Sequence, residues 1–467
     1  MKRDDTMSIV KAFVVPHPPL IVPEVGRGDE EQINKTIESY QRIAKEISKI
    51  KPDTIIITSP HTEYYNDYYH ISPGLKAYGS FSMYGAPQIS FNEEYDEELV
   101  NKINEYCEKI NFPAGTLGEK NKELDHGTMV PLYFIEKEYK NFKLVRIGLS
   151  NYSYADHYKL GQIINRTINK LNRKTVFVAS GDLSHKLQSY GPYGFIEEGP
   201  IYDNKIMNTL EKGAFNELLE YDEEFVEKAA VCGHKSFIIM SGALDGYNVI
   251  AEKLSHEDIT GVGYGLCIYT PTTKNENRKF LDKYLEKERN KIKEKREKSD
   301  EYVLLAIKTI YEYIRKGNII EIPNNISEEL LENKRGVFVS IHKFNQLRGC
   351  IGTIYPTYDN IAEEIISNAI NASTKDNRFN PITEDELDYL DINVDVLQKP
   401  EDINNPNELD IKKYGVIVSS GYKKGLLLPD IPGIESIEEQ IEIAKRKGNI
   451  KEDEDIKLER FEVIRHI

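Results

Sequence analysis

Tryptophan is absent from the 467 residues, cysteine appears only four times, and no apolar run approaches a membrane-spanning length. A spanning helix needs about 20 consecutive apolar residues, so a membrane is not an expected partner. Cys107, Cys232, Cys267 and Cys350 lie far apart with no CxxC spacing, which excludes a disulfide framework and fits a reducing cytoplasm. Positive charge is also in deficit: 61 Lys and Arg face 77 Asp and Glu, a formal net charge of −16. A general nucleic-acid binder needs clustered cations to neutralise phosphates, so nucleic acid is not expected either. Lys2, Arg3, Asp4 and Asp5 lead straight into a strand instead of the apolar core of a secretion signal, and export is not expected. The lack of tryptophan beside 30 tyrosines excludes nothing.

What is present is a set of short apolar runs that stop abruptly. Ile9 to Val15 ends in Pro16-His17-Pro18-Pro19, and Thr54 to Thr58 ends in Ser59-Pro60-His61. Thr175 to Ala179 ends in Ser180-Gly181-Asp182, with His185 just beyond, and Lys143 to Ile147 ends in Gly148. Runs of this length punctuated by Pro and Gly read as parallel-sheet strands, and ligands of open α/β sheets sit beyond the carboxyl ends of such strands. Histidines delivered at those ends are the first functional signal.

Between them, Asp29 to Lys49 has the spacing of a covering helix, which makes a βαβ unit with a histidine at each strand end. Glu63 to Ala86 reads as loops and short strands, and Glu93 to Ile110 as an amphipathic helix. Asp125 is placed to cap a helix opened by His126-Gly127. Helices are expected over His157 to Leu171 and Phe237 to Asn248, and a glycine-rich last strand over Thr260 to Tyr269. The length suggests two domains, and the change of character over 272–299, rich in Lys, Arg, Asp and Glu, reads as a charged linker or solvated helix. The domains are therefore expected at 1–271 and 300–467.

His17, His61, His126 and His185 are four of the ten histidines, each beside Pro, Gly, Ser or Asp. One loop histidine is usually a surface residue; four so placed point to a shared metal or acid/base site. Two imidazoles and one anion with open positions make the facial arrangement that holds Fe(II) beside its substrate, and a further histidine can move protons. His17 and His61 are the expected imidazole ligands, while the third ligand stays open, with Glu63 and Asp182 as local carboxylates. Asp182 reads equally as a turn cap or as the group orienting His185. His70, His157 and His256 read as surface residues.

Pro-His17-Pro-Pro, Ser-Pro-His61, Leu-Asp-His126-Gly-Thr, Ser-Gly-Asp182-Leu-Ser-His185 and Cys232-Gly233-His234 occur in the order found in class III extradiol ring-cleavage dioxygenases and their Memo-like relatives. The resemblance spans residues 8 to 271. It implies an α/β fold with a mostly parallel sheet flanked by helices, and Fe(II) held by His17 and His61. It also implies an acid/base at His185 or His126 and a catechol-like chelating substrate opened next to its diol. Where the family carboxylate is expected, Val231-Cys232-Gly233-His234 resembles the Memo pattern. Cys232 is then either the third ligand, which admits Zn or Cu(I) beside Fe(II), or a spectator or nucleophile.

In the second half, Leu347-Arg348-Gly349-Cys350-Ile351-Gly352 reads as a tight turn presenting an arginine and a cysteine. With Asn371 to Pro381 and Gly425 to Asp430 it resembles the AMMECR-type domain over residues 300 to 467, which implies an α+β fold. Arg348 is a candidate for bidentate anion binding and Cys350 for a nucleophile beside that charge; the bland alternative pairs Arg348 with Asp376. Fusion of the two domain types resembles AmmeMemoRadiSam systems, which implies a separate radical-SAM partner, since this chain has no CxxxCxxC.

The expectation is thus a metal-dependent oxidoreductase with His17, His61 and Cys232 at the metal, His185, His126 and Asp182 in catalysis, and a small aromatic or chelating substrate. A non-catalytic scaffold serving a radical-SAM partner and a zinc metallohydrolase are the alternatives.

Overall fold

Strands that are apolar on both faces are stable only between two covering layers, and that requirement organises the first unit. A computed structural model describes residues 8–118, 123–431 and 433–467, so Lys2 to Asp5 lie outside the described residues. Ile9–Val15 (β1), Thr54–Ser59 (β2), Lys143–Gly148 (β3) and Thr175–Ser180 (β4) are buried almost throughout. They run parallel in the order β3-β2-β4-β1, and two antiparallel strands complete the sheet beyond β1. These are Tyr247–Glu257 (β5) at the edge and Tyr264–Lys274 (β6) beside β1.

Register aligns the carboxyl ends. Val15 stands beside Ser180, Ala179 beside Thr58, and Ser59 beside Gly148. The loops carrying His17, His61 and Asp182 therefore leave the sheet at one edge. Asn34–Ile50 (α1) turns Tyr40, Ile43, Ala44 and Ile47 inward at the expected spacing. His126–Glu138 (α2) starts at Asp125, whose side chain accepts the Thr128 N–H as an N-cap. Tyr154–Leu171 (α3) and His234–Ala243 (α4) pack against each other.

Three local readings change. The helix expected to run to Asn248 stops at Ala243, because Gly246 turns the chain at φ +76° and Asn248 already belongs to β5. The helix expected from Glu93 begins at Glu97, since Glu93 and Glu94 close a strand. In the charged stretch 272–299, Thr272 to Lys274 continue β6 and Phe280–Arg296 is a helix whose Leu281 and Ile292 are buried.

The chain divides into Met1–Leu285 and Glu286–Ile467. The second unit is α+β, with a curled antiparallel sheet that includes Val337–Lys343, Gln346–Gly352, Leu390–Leu397, Tyr414–Ser420, Lys423–Leu427 and Lys457–His466. Ile361–Thr374 packs an apolar face against it.

Candidate active site

Each site residue is fixed by its backbone before its chemistry matters. The His17 N–H donates to Asp182 Oδ1 at 2.8 Å, and the buried Tyr40 hydroxyl donates to the Pro16 carbonyl. Gly181 and Gly233 lie back to back: a Cβ on Gly181 would sit 2.1 Å from Gly233 Cα. That close approach lets the Gly233 N–H reach the Asp182 carbonyl at 3.0 Å and the Asp182 N–H reach Cys232 Sγ at 3.2 Å. The Ser-Gly-Asp and Cys-Gly-His motifs are the two halves of this clamp.

The hydrogen bonds also assign the His17 tautomer. Ser180 Oγ gives its proton to the Gly127 carbonyl at 2.6 Å, so at 2.9 Å from His17 Nδ1 it must accept. Nδ1 therefore carries the hydrogen, and the Nε2 lone pair points into the site. His61 Nε2 lies 3.0 Å from His17 Nε2, and Cys232 Sγ lies 3.5 Å from it. The ligand atoms of His17, His61 and Cys232 all fall within 4.8 Å of one another.

His126 joins the same group, its ring centroid 4.1 Å from that of His61 and 5.3 Å from that of His17. His185 groups instead with Asp182 and Cys232. Its Nδ1 donates to the Ala230 carbonyl at 2.6 Å, which leaves Nε2 as a free lone pair 3.8 Å from Asp182 Oδ2. Asp182 caps the His17 loop, whereas the His185 ring is held by the Ala230 carbonyl and the Asp182 carboxylate only stands 3.8 Å from its Nε2.

Burial disfavours the charged form of five of these groups. Burial, then the charge of His126, pushes His17 down to about 3. His61 is exposed as a residue, yet desolvation of its ring and the neighbouring His17 push it to about 3 as well. Burial also lowers His126, with Asp125 opposing. Burial raises both Asp182 and, reinforced by the Asp182 charge, the Cys232 thiol. Two neutral imidazoles and a thiol suit a borderline cation, whose binding displaces the thiol proton. The donor set therefore fits a metal.

Several residues were not legible as parts of this site. Arg146, fully buried on β3, donates to Ser72 and to the Glu123 carbonyl and lies 3.6 Å from Asp125 and 3.7 Å from Glu63. Asp125 in turn accepts from Ser59 Oγ at 2.6 Å, which ties the His61 loop to the start of α2. Glu63 is thereby committed to Arg146 and His70. His70 and His157 are buried, not surface residues, and His256 pairs with buried Asp203 at 2.9 Å.

In the second unit the Arg348 motif is a strand, Gln346–Gly352, and the turn lies before it at Phe344 and Asn345, both at positive φ. Arg348 does not pair with Asp376. It grips Glu386 with Nε and Nη2 at 3.0 and 2.9 Å and also donates to the Asn380 carbonyl. Asp376 is held by Arg378 and accepts the Cys350 N–H at 2.9 Å. Ser340 Oγ donates to Cys350 Sγ at 3.2 Å.

Residues 11–267 match the family described as the catalytic LigB subunit of aromatic ring-opening dioxygenase, and residues 303–466 match AMMECR1. The Clostridium acetobutylicum protein CA_C1420 is 43% identical over 469 residues, covering 98% of this chain and 99% of that protein. A Thermotoga maritima protein is 50% identical over 167 residues, 35% of this chain and 96% of its own length. The crystal structure of PH0010 from Pyrococcus horikoshii shares 35% identity, covers 35% of this chain and 88% of that one, and superposes with a TM-score of 0.33.

Proposed function

This chain belongs to the LigB family of aromatic ring-opening dioxygenases and carries an AMMECR1 domain, and from that premise we propose that its first unit is an Fe(II)-dependent oxidoreductase acting on a small aromatic or chelating substrate. The convergence of the ligand atoms of His17, His61 and Cys232 within 4.8 Å of one another carries this reading. Zn or Cu(I) suits the same donors.

His17 and His61 would hold the cation as imidazole ligands, and Cys232 would supply the anionic ligand, its proton passing to solvent. The bound metal would supply a Lewis acid with open positions that brings a diol and O2 together. His185 Nε2 accepts a hydroxyl proton of the substrate, and the resulting imidazolium lies 3.8 Å from the Asp182 carboxylate. His126, neutral and beside His61, is the second group able to hold a proton there. Tyr84 meets His126 edge-on at 5.9 Å and Tyr193 meets His185 at 5.1 Å. Both tyrosines are partly exposed and offer faces to a planar ring.

The four cysteines are free thiols, in keeping with a cytoplasmic site of action. No described helix is long and apolar enough to cross a membrane. Any radical step would fall to a separate radical-SAM partner. The test is protein purified without oxygen: about one iron per chain with a spin-3/2 signal on nitric oxide addition, lost in His17→Ala and Cys232→Ala, is the expected result. Absence of specific iron in the wild type would refute the reading.

A further inference from the structure

The donors around Cys232 outnumber what one ion needs. We propose that the pocket takes a second thiophilic divalent cation, held by Asp182, His185 and Cys232, with the Cys232 thiolate shared between the two ions. The inference rests on reading the first triad as a metal centre, and it adds a site on different residues.

Three observations carry it. First, the ligand atoms of Asp182, His185 and Cys232 lie within 4.8 Å of one another, as do those of His17, His61 and Cys232, and Cys232 is common to both groups. Second, the lone pairs are directed. A carbonyl can only accept, so the Ala230 contact fixes the hydrogen on His185 Nδ1 and leaves Nε2 open toward Asp182. Third, the second triad is built as a unit of its own. Its three residues come from two loops locked together by Gly233 N–H to the Asp182 carbonyl at 3.0 Å, Ser184 Oγ to the Ala229 carbonyl at 2.8 Å, and a β-bridge between Ser184 and Val231. His61 comes from the β2 end and packs on His17 and His126, whereas the His185 ring packs on Tyr193. Loss of either outer histidine thus leaves the other triad standing.

Two divalent cations bring four positive charges, of which the pocket's own ligands offset two. Asp182 carboxylate and Cys232 thiolate supply two negative charges and the three histidines bind as neutral imidazoles; the thiol proton goes to solvent when the first ion enters. Bridged pairs of this kind stabilise both partners of a displacement. Here the second ion would also occupy the His185 lone pair and the Asp182 carboxylate, leaving His126 as the free imidazole of the pocket. Excess cation is therefore expected to slow the proton transfer assigned to His185.

The test is anaerobic titration of the metal-free, reduced full chain with Co(II), followed by thiolate-to-cobalt absorption and by EPR. Wild type should take up two equivalents, with the EPR intensity of the first falling as the second enters, because ions sharing a thiolate couple. His185→Ala and His61→Ala should each take up one, and His185→Gln serves if the alanine variant fails to fold. Saturation of wild type at one equivalent, or two equivalents retained in a folded His185 variant, would overturn the second site while leaving the first intact. No tight equivalent at all would overturn both.

Discussion

Ser180→Ala tests whether the His17 tautomer is set by the hydroxyl beneath it. Ser180 is fully buried and its Oγ serves two buried groups, accepting from His17 Nδ1 at 2.9 Å and donating to the Gly127 carbonyl at 2.6 Å. Alanine removes the hydroxyl and leaves a buried donor and a buried acceptor unpaired. Each unmet group costs about 1–3 kcal/mol, and partial relaxation brings the pair to about 2–4 kcal/mol of stability. The freed ring can also move its hydrogen to Nε2, which then no longer ligates. Loss of a partner that orients a ligand weakens metal binding about 10–100-fold, or about 1.4–2.7 kcal/mol. Urea denaturation reads the first effect and chelator competition reads the second. Metal affinity within about twofold of wild type would refute the tautomer argument, whatever happened to stability.

Two further outcomes follow from buried charge. Glu93 is pushed up to about 8 by burial and then by its hydrogen bond and charge interaction with Glu136, with Lys140 opposing weakly from 3.9 Å off Glu136. Its folded value lies above its unfolded value, so the unfolded chain holds fewer protons between about pH 4.5 and 8 and stability falls as pH rises through that window. Glu93→Gln should be the more stable protein at pH 8, by at most about 1.4 kcal/mol per pH unit of the window, and the difference should vanish by pH 4.5. Denaturation midpoints across the range check this, and parallel wild-type and variant curves would contradict it. In the second unit, burial opposes ionisation of Glu386, but Arg348 and Lys343 outweigh it and hold the carboxyl at about 2. Arg348→Ala leaves that carboxylate with Lys343 at 3.0 Å and the Thr383 N–H at 3.1 Å but without its bidentate partner, and should destabilise the unit by about 1.5–3 kcal/mol, seen as a lowered unfolding midpoint. An unchanged midpoint would return Arg348 to the list of free anion-binding groups.

Strand ends were the most legible feature, because Pro, Gly and Ser after an apolar run mark both the strand and the direction of the residue it releases. His17, His61 and Asp182 follow such strand ends, and Asp125 carries the local signature of an N-cap. Features that depend on distant packing leave no local mark. Arg146 sits in an apolar run with nothing local to mark it, and its partners come from Ser72, Glu123, Asp125 and Glu63. His70 and His157 have polar neighbours in sequence and apolar ones in space, so local composition put them on the surface. Arg348 was offered Asp376 as its partner, yet its grip is on Glu386, 38 residues away. The glycines of Leu-Arg-Gly-Cys-Ile-Gly suggested a turn, whereas they are strand residues: a Cβ on Gly349 would meet the Ala372 carbonyl at 2.2 Å. Close packing and turning both select glycine, and sequence alone does not separate them.

The most direct test of the account is oxygen uptake by the Fe(II)-loaded full chain, measured with a panel of catechols and followed by absorption of ring-opened product. Uptake with at least one catechol, matched by ring-opened product and abolished in His61→Ala, is the expected result. Bound iron with no uptake from any catechol would contradict it.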